Sequence, residues 1–338
     1  SAPLVMLGIC LAAIATGFAI SYNIRHFEPL KGTGDRLLIV GRISRYALAF
    51  ASIINIAYYT MLLITLALWP LGAYSERNLA IVGVLVLVGL IIVGLAGRLD
   101  DLNRIADKTT AFNIAAVVAV VVAFGVYNVI EAISGTWAPP PSDTVIDATA
   151  LRQIIGLFAI VQGFEAARYI GSRFAGELRI SAMRVAQVIA TVVFVALLAF
   201  VLILFVQVPA PFNATGIFIV SDEVGDLMPW LILLAALGSQ TSAIIGATMS
   251  RSDMMTAETD LSRRTTIVLL LVPAIAVFLL TDVALAVSLA SRVFATYFVF
   301  QAAIAWTLAL RRGNWPAIGG FTLIALTMAV IAILGLPL

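Results

Sequence analysis

Apolar residues in this chain gather into ten long blocks, at about 3–22, 46–69, 79–97, 109–130, 151–171, 184–207, 227–249, 265–280, 283–310 and 315–335. Short stretches rich in charge, glycine or proline separate them. A helix of about 20 apolar residues crosses the hydrocarbon core of a bilayer, and nine of the blocks are long enough. The eighth is short and holds Pro273, which leaves its ends open. A membrane β-barrel would show alternating runs of about ten residues instead, and no stretch alternates in that way. The pattern predicts an all-α polytopic membrane protein with ten transmembrane helices.

The charges between the blocks support that count. Lys and Arg collect on the cytoplasmic side of membrane proteins. Seventeen of the twenty lie in the odd-numbered connections, including Arg25 to Arg45 in the first and Arg168, Arg173, Arg179 and Arg184 in the fifth. The seventh holds Arg251, Arg263 and Arg264. The even connections hold only Arg77 and Arg152, and the fourth is rich in proline at 139–141. Trp69, Trp137 and Trp230 near one face, with Trp306 and Trp315 near the other, suit an interfacial aromatic belt. Composition agrees: 62% of the 338 residues are hydrophobic, 11% are charged, and the mean hydropathy is +1.10. Soluble domains carry roughly 25% charge, so lipid is the expected solvent. The expected location is the bacterial cytoplasmic membrane.

This topology places Ser1 outside, without the basic start and cleavage motif of a signal peptide. The expectation is an upstream span that returns the N-terminus to the cytoplasm; the alternative is a ten-span chain with both ends outside. The lone Cys10 and lone His26 offer neither a disulfide nor a zinc site. No metal and no cofactor are expected.

Two charges fall well inside the blocks, Glu165 in the fifth and Arg292 in the ninth. A charge at mid-membrane costs about 2.5–3.5 kcal/mol on insertion scales and marks an interior or a water-filled path. Glu165 is read either as a substrate, ion or proton site or as half of an ion pair, with Arg292 or with Arg168. Arg292 is the candidate buried partner. Around Glu165 the sequence reads Gln162-Gly163-Phe164-Glu165. Glycine weakens a helix, and a break here would leave backbone groups free to meet a ligand. Gln162, Gly163, Phe164 and Glu165 are therefore the candidate substrate-binding residues. The N–H groups after such a break carry the positive end of a half-helix dipole. With Glu165 already there, a cationic partner is expected: a substrate amine, sodium or a proton. Glu165→Gln is then expected to abolish coupled uptake and leave the thermal midpoint little changed. The seventh block carries Ser239, Thr241 and Ser242, hydroxyl oxygens of the kind that suit sodium; ordinary helix packing explains them equally well.

Gly163-Phe164-Glu165, followed by Glu177, Arg179 and Arg184, resembles the sixth helix and following loop of permeases of the amino acid/polyamine/organocation (APC) superfamily. The block beginning Ala2-Pro3-Leu4 is similar to their second helix. The resemblance implies a LeuT-type fold of inverted five-helix repeats, with the first helix absent from this chain. Residues 1–130 would form the first repeat, 131–150 an extracytoplasmic loop, 151–310 the second repeat and 311–338 an extra helix. The loop after the fifth block lacks a proline found in many members. Asn113 stands where proton-coupled members carry a lysine, with Lys108 more than one turn earlier. Asn113 therefore joins Ser239, Thr241 and Ser242 as an ion-coupling candidate.

The function expected is secondary active transport of a small polar organic solute, an amino acid or amine, coupled to protons or sodium. The alternative is a non-transporting, permease-derived subunit of a larger membrane complex. Enzyme activity is not expected, since the spans hold no paired catalytic set. The expected partners are the lipid bilayer, a small-molecule substrate, a coupling ion and a membrane-protein partner, with no nucleic acid.

Overall fold

The structure is a computed structural model that describes residues 2–138, 147–170, 174–207 and 216–337. The prolines at 139–141, Arg173 and the Lys108 side chain lie outside that description. The helices are α1 (Ala2–His26), α2 (Leu37–Leu68), α3 (Glu76–Leu95), α4 (Leu99–Ser134), α5 (Ala148–Gly156), α6 (Gly176–Val201), α7 (Gly216–Asp222), α8 (Met228–Glu258), α9 (Arg263–Leu280), α10 (Val283–Arg311) and α11 (Trp315–Leu334). Ten segments of the described residues are long and apolar enough to cross a membrane. All ten coincide with the blocks read from the sequence, and no strand occurs among the described residues. The protein is an integral, polytopic, all-α membrane protein.

Side-chain caps start several spans. Ser75, Asp147, Ser262, Asp282 and Asn314 each accept the backbone N–H three residues on, which satisfies one otherwise unpaired donor of the first turn. Pro273 leaves α9 unbroken from Arg263 to Leu280. Several spans overrun their apolar blocks on the charged side: α2 begins at Leu37, α4 at Leu99 and α6 at Gly176, and α8 continues to Glu258.

Ion pairs gather the five odd-numbered connections on one face. Glu28 of the first receives Arg179 of the fifth, and Arg25 reaches Glu177, each at 2.7 Å. Arg45 meets Glu258 at the end of α8 at 2.6 Å. Arg263, at the start of α9, meets Asp100 of the third connection at 3.0 Å. Arg311, at the end of α10, meets Asp35. No odd connection can cross to the other side without breaking one of these pairs, so the alternation of charge is a property of the fold.

α10 runs through the centre, against α1, α2 and α11. Its buried faces carry Phe294, Tyr297, Phe298 and Gln301. Lipid is as apolar as a leucine side chain, so helices in a membrane associate through close packing and polar contacts. Both are present. Asn23 on α1 donates to the side chain of Gln301 at 2.9 Å, and Gln301 donates to Ser44 on α2 at 2.6 Å. Gly83 on α3 lies so close to Phe278 on α9 that a methyl group there would sit 2.0 Å from the ring.

Candidate functional site

The fifth span is interrupted. α5 ends at Gly156, a 3-10 turn covers Phe158–Val161, and a second 3-10 stretch covers Phe164–Tyr169. Between them Gln162 is extended, with ψ 172°, and Gly163 has φ +124°. Side chains with a Cβ rarely adopt that φ, so glycine sits where the chain turns out of one 3-10 stretch and into the next. The break falls on the residues that the sequence marked.

Both sides of the break are held by neighbours. Ser291 on α10 donates to the Gly156 carbonyl at 2.6 Å and accepts the Ala159 N–H at 2.7 Å. One hydroxyl thus replaces the helical bonds lost where α5 tightens into a 3-10 turn. On the far side Arg179 donates to the carbonyls of Ala167, Arg168 and Phe174 and makes two bonds to Glu28. Phe158 and Phe164, one on each side, both pack against Phe298.

Glu165 has no exposed surface. Its Oε2 reaches back to accept the Gly163 N–H at 2.8 Å, as the acidic residue of a capping box does at the start of a helix. Its Oε1 accepts Arg251 Nη2 at 2.7 Å. Arg251 Nε donates to Ser52 on α2 at 2.9 Å. This corrects the expected partner. Arg292 does not reach Glu165: it donates to the carbonyls of Ala332 and Ile333 at the end of α11, where a cation is favoured by the helix dipole. Arg168 is not the partner either; its guanidinium lies over the rings of Phe27 and Tyr169. Arg251 escaped notice because Ser250-Arg251-Ser252-Asp253 reads as a loop. Met254 and Met255 just beyond it were the signal that the helix continues.

Two cavities flank the break. One of about 1070 Å³ opens beside Gly156, Leu157 and Ile160, lined also by Tyr58, Glu76 and Asp282. One of about 290 Å³ lies between α1 and α6 and is lined by Gln162, Gly163 and Phe164. Gln162 donates to the Phe158 carbonyl, while its Oε1 is buried without a hydrogen-bond partner.

The ion-coupling candidates do not join this site. Asn113 lies against Gly238, where a methyl group would stand 3.4 Å from its Oδ1. Ser242 lies one helical turn further along α8. Asn113 Oδ1 and Ser242 Oγ are both buried and unpartnered. Ser239 is half-buried and Thr241 is exposed, which turns Thr241 away from that pair. Ser242 precedes Arg251 on the same helix by roughly 13 Å at 1.5 Å per residue, so these oxygens occupy another level of the bundle. No group of three His, Cys, Asp or Glu able to hold a metal occurs among the described residues.

A bundle of ten apolar spans, one of them broken around a buried carboxylate, is the architecture of a membrane transporter. A family described as APC superfamily transporter matches residues 1–335, and the chain belongs to that family. A curated relative, an uncharacterized protein of Aquifex aeolicus (strain VF5), is 28% identical over 345 aligned positions. The match covers 98% of this chain and 82% of the relative.

Proposed function

We propose that this transporter is a secondary active carrier of a small polar organic solute, an amino acid or amine, driven by a proton or sodium gradient across the bacterial cytoplasmic membrane. The observation that carries the reading is the break at Gln162–Gly163, with Glu165 buried beside it and a cavity on either side. Free backbone groups at membrane depth are tolerated only where they line a cavity or meet a ligand. Gln162, Gly163, Phe164 and Glu165 are the proposed substrate contacts. Asn113 and Ser242, with unpartnered oxygens on facing helices, are the proposed coupling site. The positively charged face is assigned to the cytoplasm, and the two halves of the chain are assigned to inverted repeats.

Alternating access then needs a solute that interacts differently with the outward-facing and inward-facing states. Reconstituted protein in proteoliposomes is the test. Labelled amino acids and amines are offered with and without a sodium or proton gradient. Gradient-dependent accumulation that Glu165→Gln abolishes supports the reading. Lack of accumulation of every amino acid and amine under both gradients, by protein that is folded in the liposome, overturns it.

A further inference from the structure

The half-span after the break carries a charge that its neighbours do not balance. Arg168 within it, Arg179 on α6 and Arg251 on α8 are all buried, exposed by 6%, 4% and 4%. Arg251 is paired with Glu165 and Arg179 with Glu28. Arg168 has no ion pair among the described residues; aromatic rings cover it instead, with Phe27 at 5.1 Å and Tyr169 at 6.0 Å. Three guanidinium groups thus face two carboxylates. Two of their nitrogens, Arg168 Nη1 and Arg251 Nη1, are buried and have no hydrogen-bond partner. Both guanidinium groups lie within 6.0 Å of the same ring, that of Tyr169.

We infer that this half-span binds a small monovalent anion, a halide or a carboxylate group, on the unpartnered nitrogens of Arg168 and Arg251. A buried, unpaired cation carries a desolvation penalty, which a well-placed and hydrogen-bonded counter-charge offsets. One negative charge cancels the excess, whereas a divalent anion overshoots it. At the two guanidinium groups themselves an added cation meets no free carboxylate, because Arg251 and the Gly163 N–H already engage both oxygens of Glu165. The cationic partner expected from the sequence is therefore supplied by the chain itself. A solute carboxylate and a free halide offer the same chemistry here; only the first rests on the transport reading above.

The test uses the full chain in detergent at constant ionic strength, with gluconate as the reference anion. Thermal midpoints are measured as chloride, acetate or sulfate replaces gluconate. Chloride or acetate is expected to raise the midpoint by about 2 °C or more, as for a ligand that binds only the folded state, and sulfate is not. Arg168→Gln should lose the rise and Arg168→Lys should keep part of it, while Arg77→Gln, at the opposite face, keeps it all. Equilibrium binding of radiolabelled chloride to wild-type protein gives a second readout that needs no variant. A rise with acetate but not chloride assigns the site to a solute carboxylate; a rise with both, and chloride bound, assigns it to a free anion. The inference is overturned by no anion-specific rise together with no saturable chloride binding, or by an equal rise in Arg168→Gln. Uptake that persists without the rise discards this inference alone. A rise without uptake leaves it standing and counts against the transport reading.

Discussion

Glu165 and Arg251 stand 86 positions apart in the chain and 2.7 Å apart in the fold. Both are buried, and the pair joins the broken fifth span to α8. Ser52 extends the link to α2. Three spans therefore share one small polar network at the level of the break.

Pairing changes what Glu165→Gln should do. Removing one member of a buried ion pair leaves the other uncompensated, at about 3–5 kcal/mol. The variant is expected to lose uptake and to melt earlier than wild type, in contrast to the unchanged midpoint that the sequence alone suggested. Arg251→Gln should be as damaging. The double variant should be less so than the sum of the two, because no lone charge remains. Urea or thermal titration of all four proteins measures the coupling, and strict additivity would deny that the pair exists.

Gly163 has open space around it, with nothing within 4 Å of where a Cβ would lie. Gly163→Ala therefore probes backbone conformation and not crowding. A strained φ of this kind costs of order 1–3 kcal/mol. Destabilisation of that size is expected, together with reduced transport. An alanine variant as stable and active as wild type would show that the positive φ is dispensable.

Gly83→Ala probes the opposite situation. Its methyl group would meet the Phe278 ring at 2.0 Å, and overpacking of this sort costs about 1–3 kcal/mol. Phe278→Leu in the same chain should restore part of the loss. Equal midpoints for Gly83→Ala and wild type would place α3 further from α9 than the structure does.

Asp35 supplies a pH dependence. Hydrogen bonds from Arg311 and from the Leu37 N–H, with the nearby positive charge, hold its carboxyl below the usual carboxylate range. A carboxyl lowered on folding stabilises the fold above its ordinary range, and that contribution fades as pH falls through the lowered value. The pair is solvent-exposed, so the effect is small. Thermal midpoints of wild type and Asp35→Asn should differ at neutral pH and converge as the pH falls below the ordinary carboxylate range and through the lowered value. A gap that stays constant over that range would show that the pairing does not depend on the carboxylate.

The spans were legible because each is a single long apolar block, and the connections because their charges alternate by face. The break was legible because Gly163 and Glu165 are both anomalous inside such a block. Arg251 was not, since a charged residue near the end of a block looks like loop until the helix is seen to continue. Arg168 was legible only as a possible partner of Glu165 and as a basic residue of a connection; the fold encloses it in rings instead. Arg292 shows the converse limit. Its place in mid-block marked it as important, but only the fold shows that it clasps the end of α11.

The two halves of the fifth span share α10, through Phe298, but each is also fastened to neighbours of its own. The outer half is tied to α10 through Ser291 and to the residues after α11, where Arg152 binds the Leu334 carbonyl and the Leu336 N–H meets the Arg152 carbonyl. The inner half is tied to α6 and the first connection through Arg179. Only Gln162 and Gly163 lie between the two 3-10 stretches; the Gln162 N–H bonds back to Ala159 and the Gly163 carbonyl accepts from Ala166, so each residue belongs to its own side and no backbone bond joins the two stretches across them. A rotation of one set of neighbours against the other thus concentrates its torsion in two residues, and the spans on either side can travel as rigid bodies. Spectroscopic labels on the outer and inner halves would register that swivel as a change in distance, while labels within one half would stay fixed.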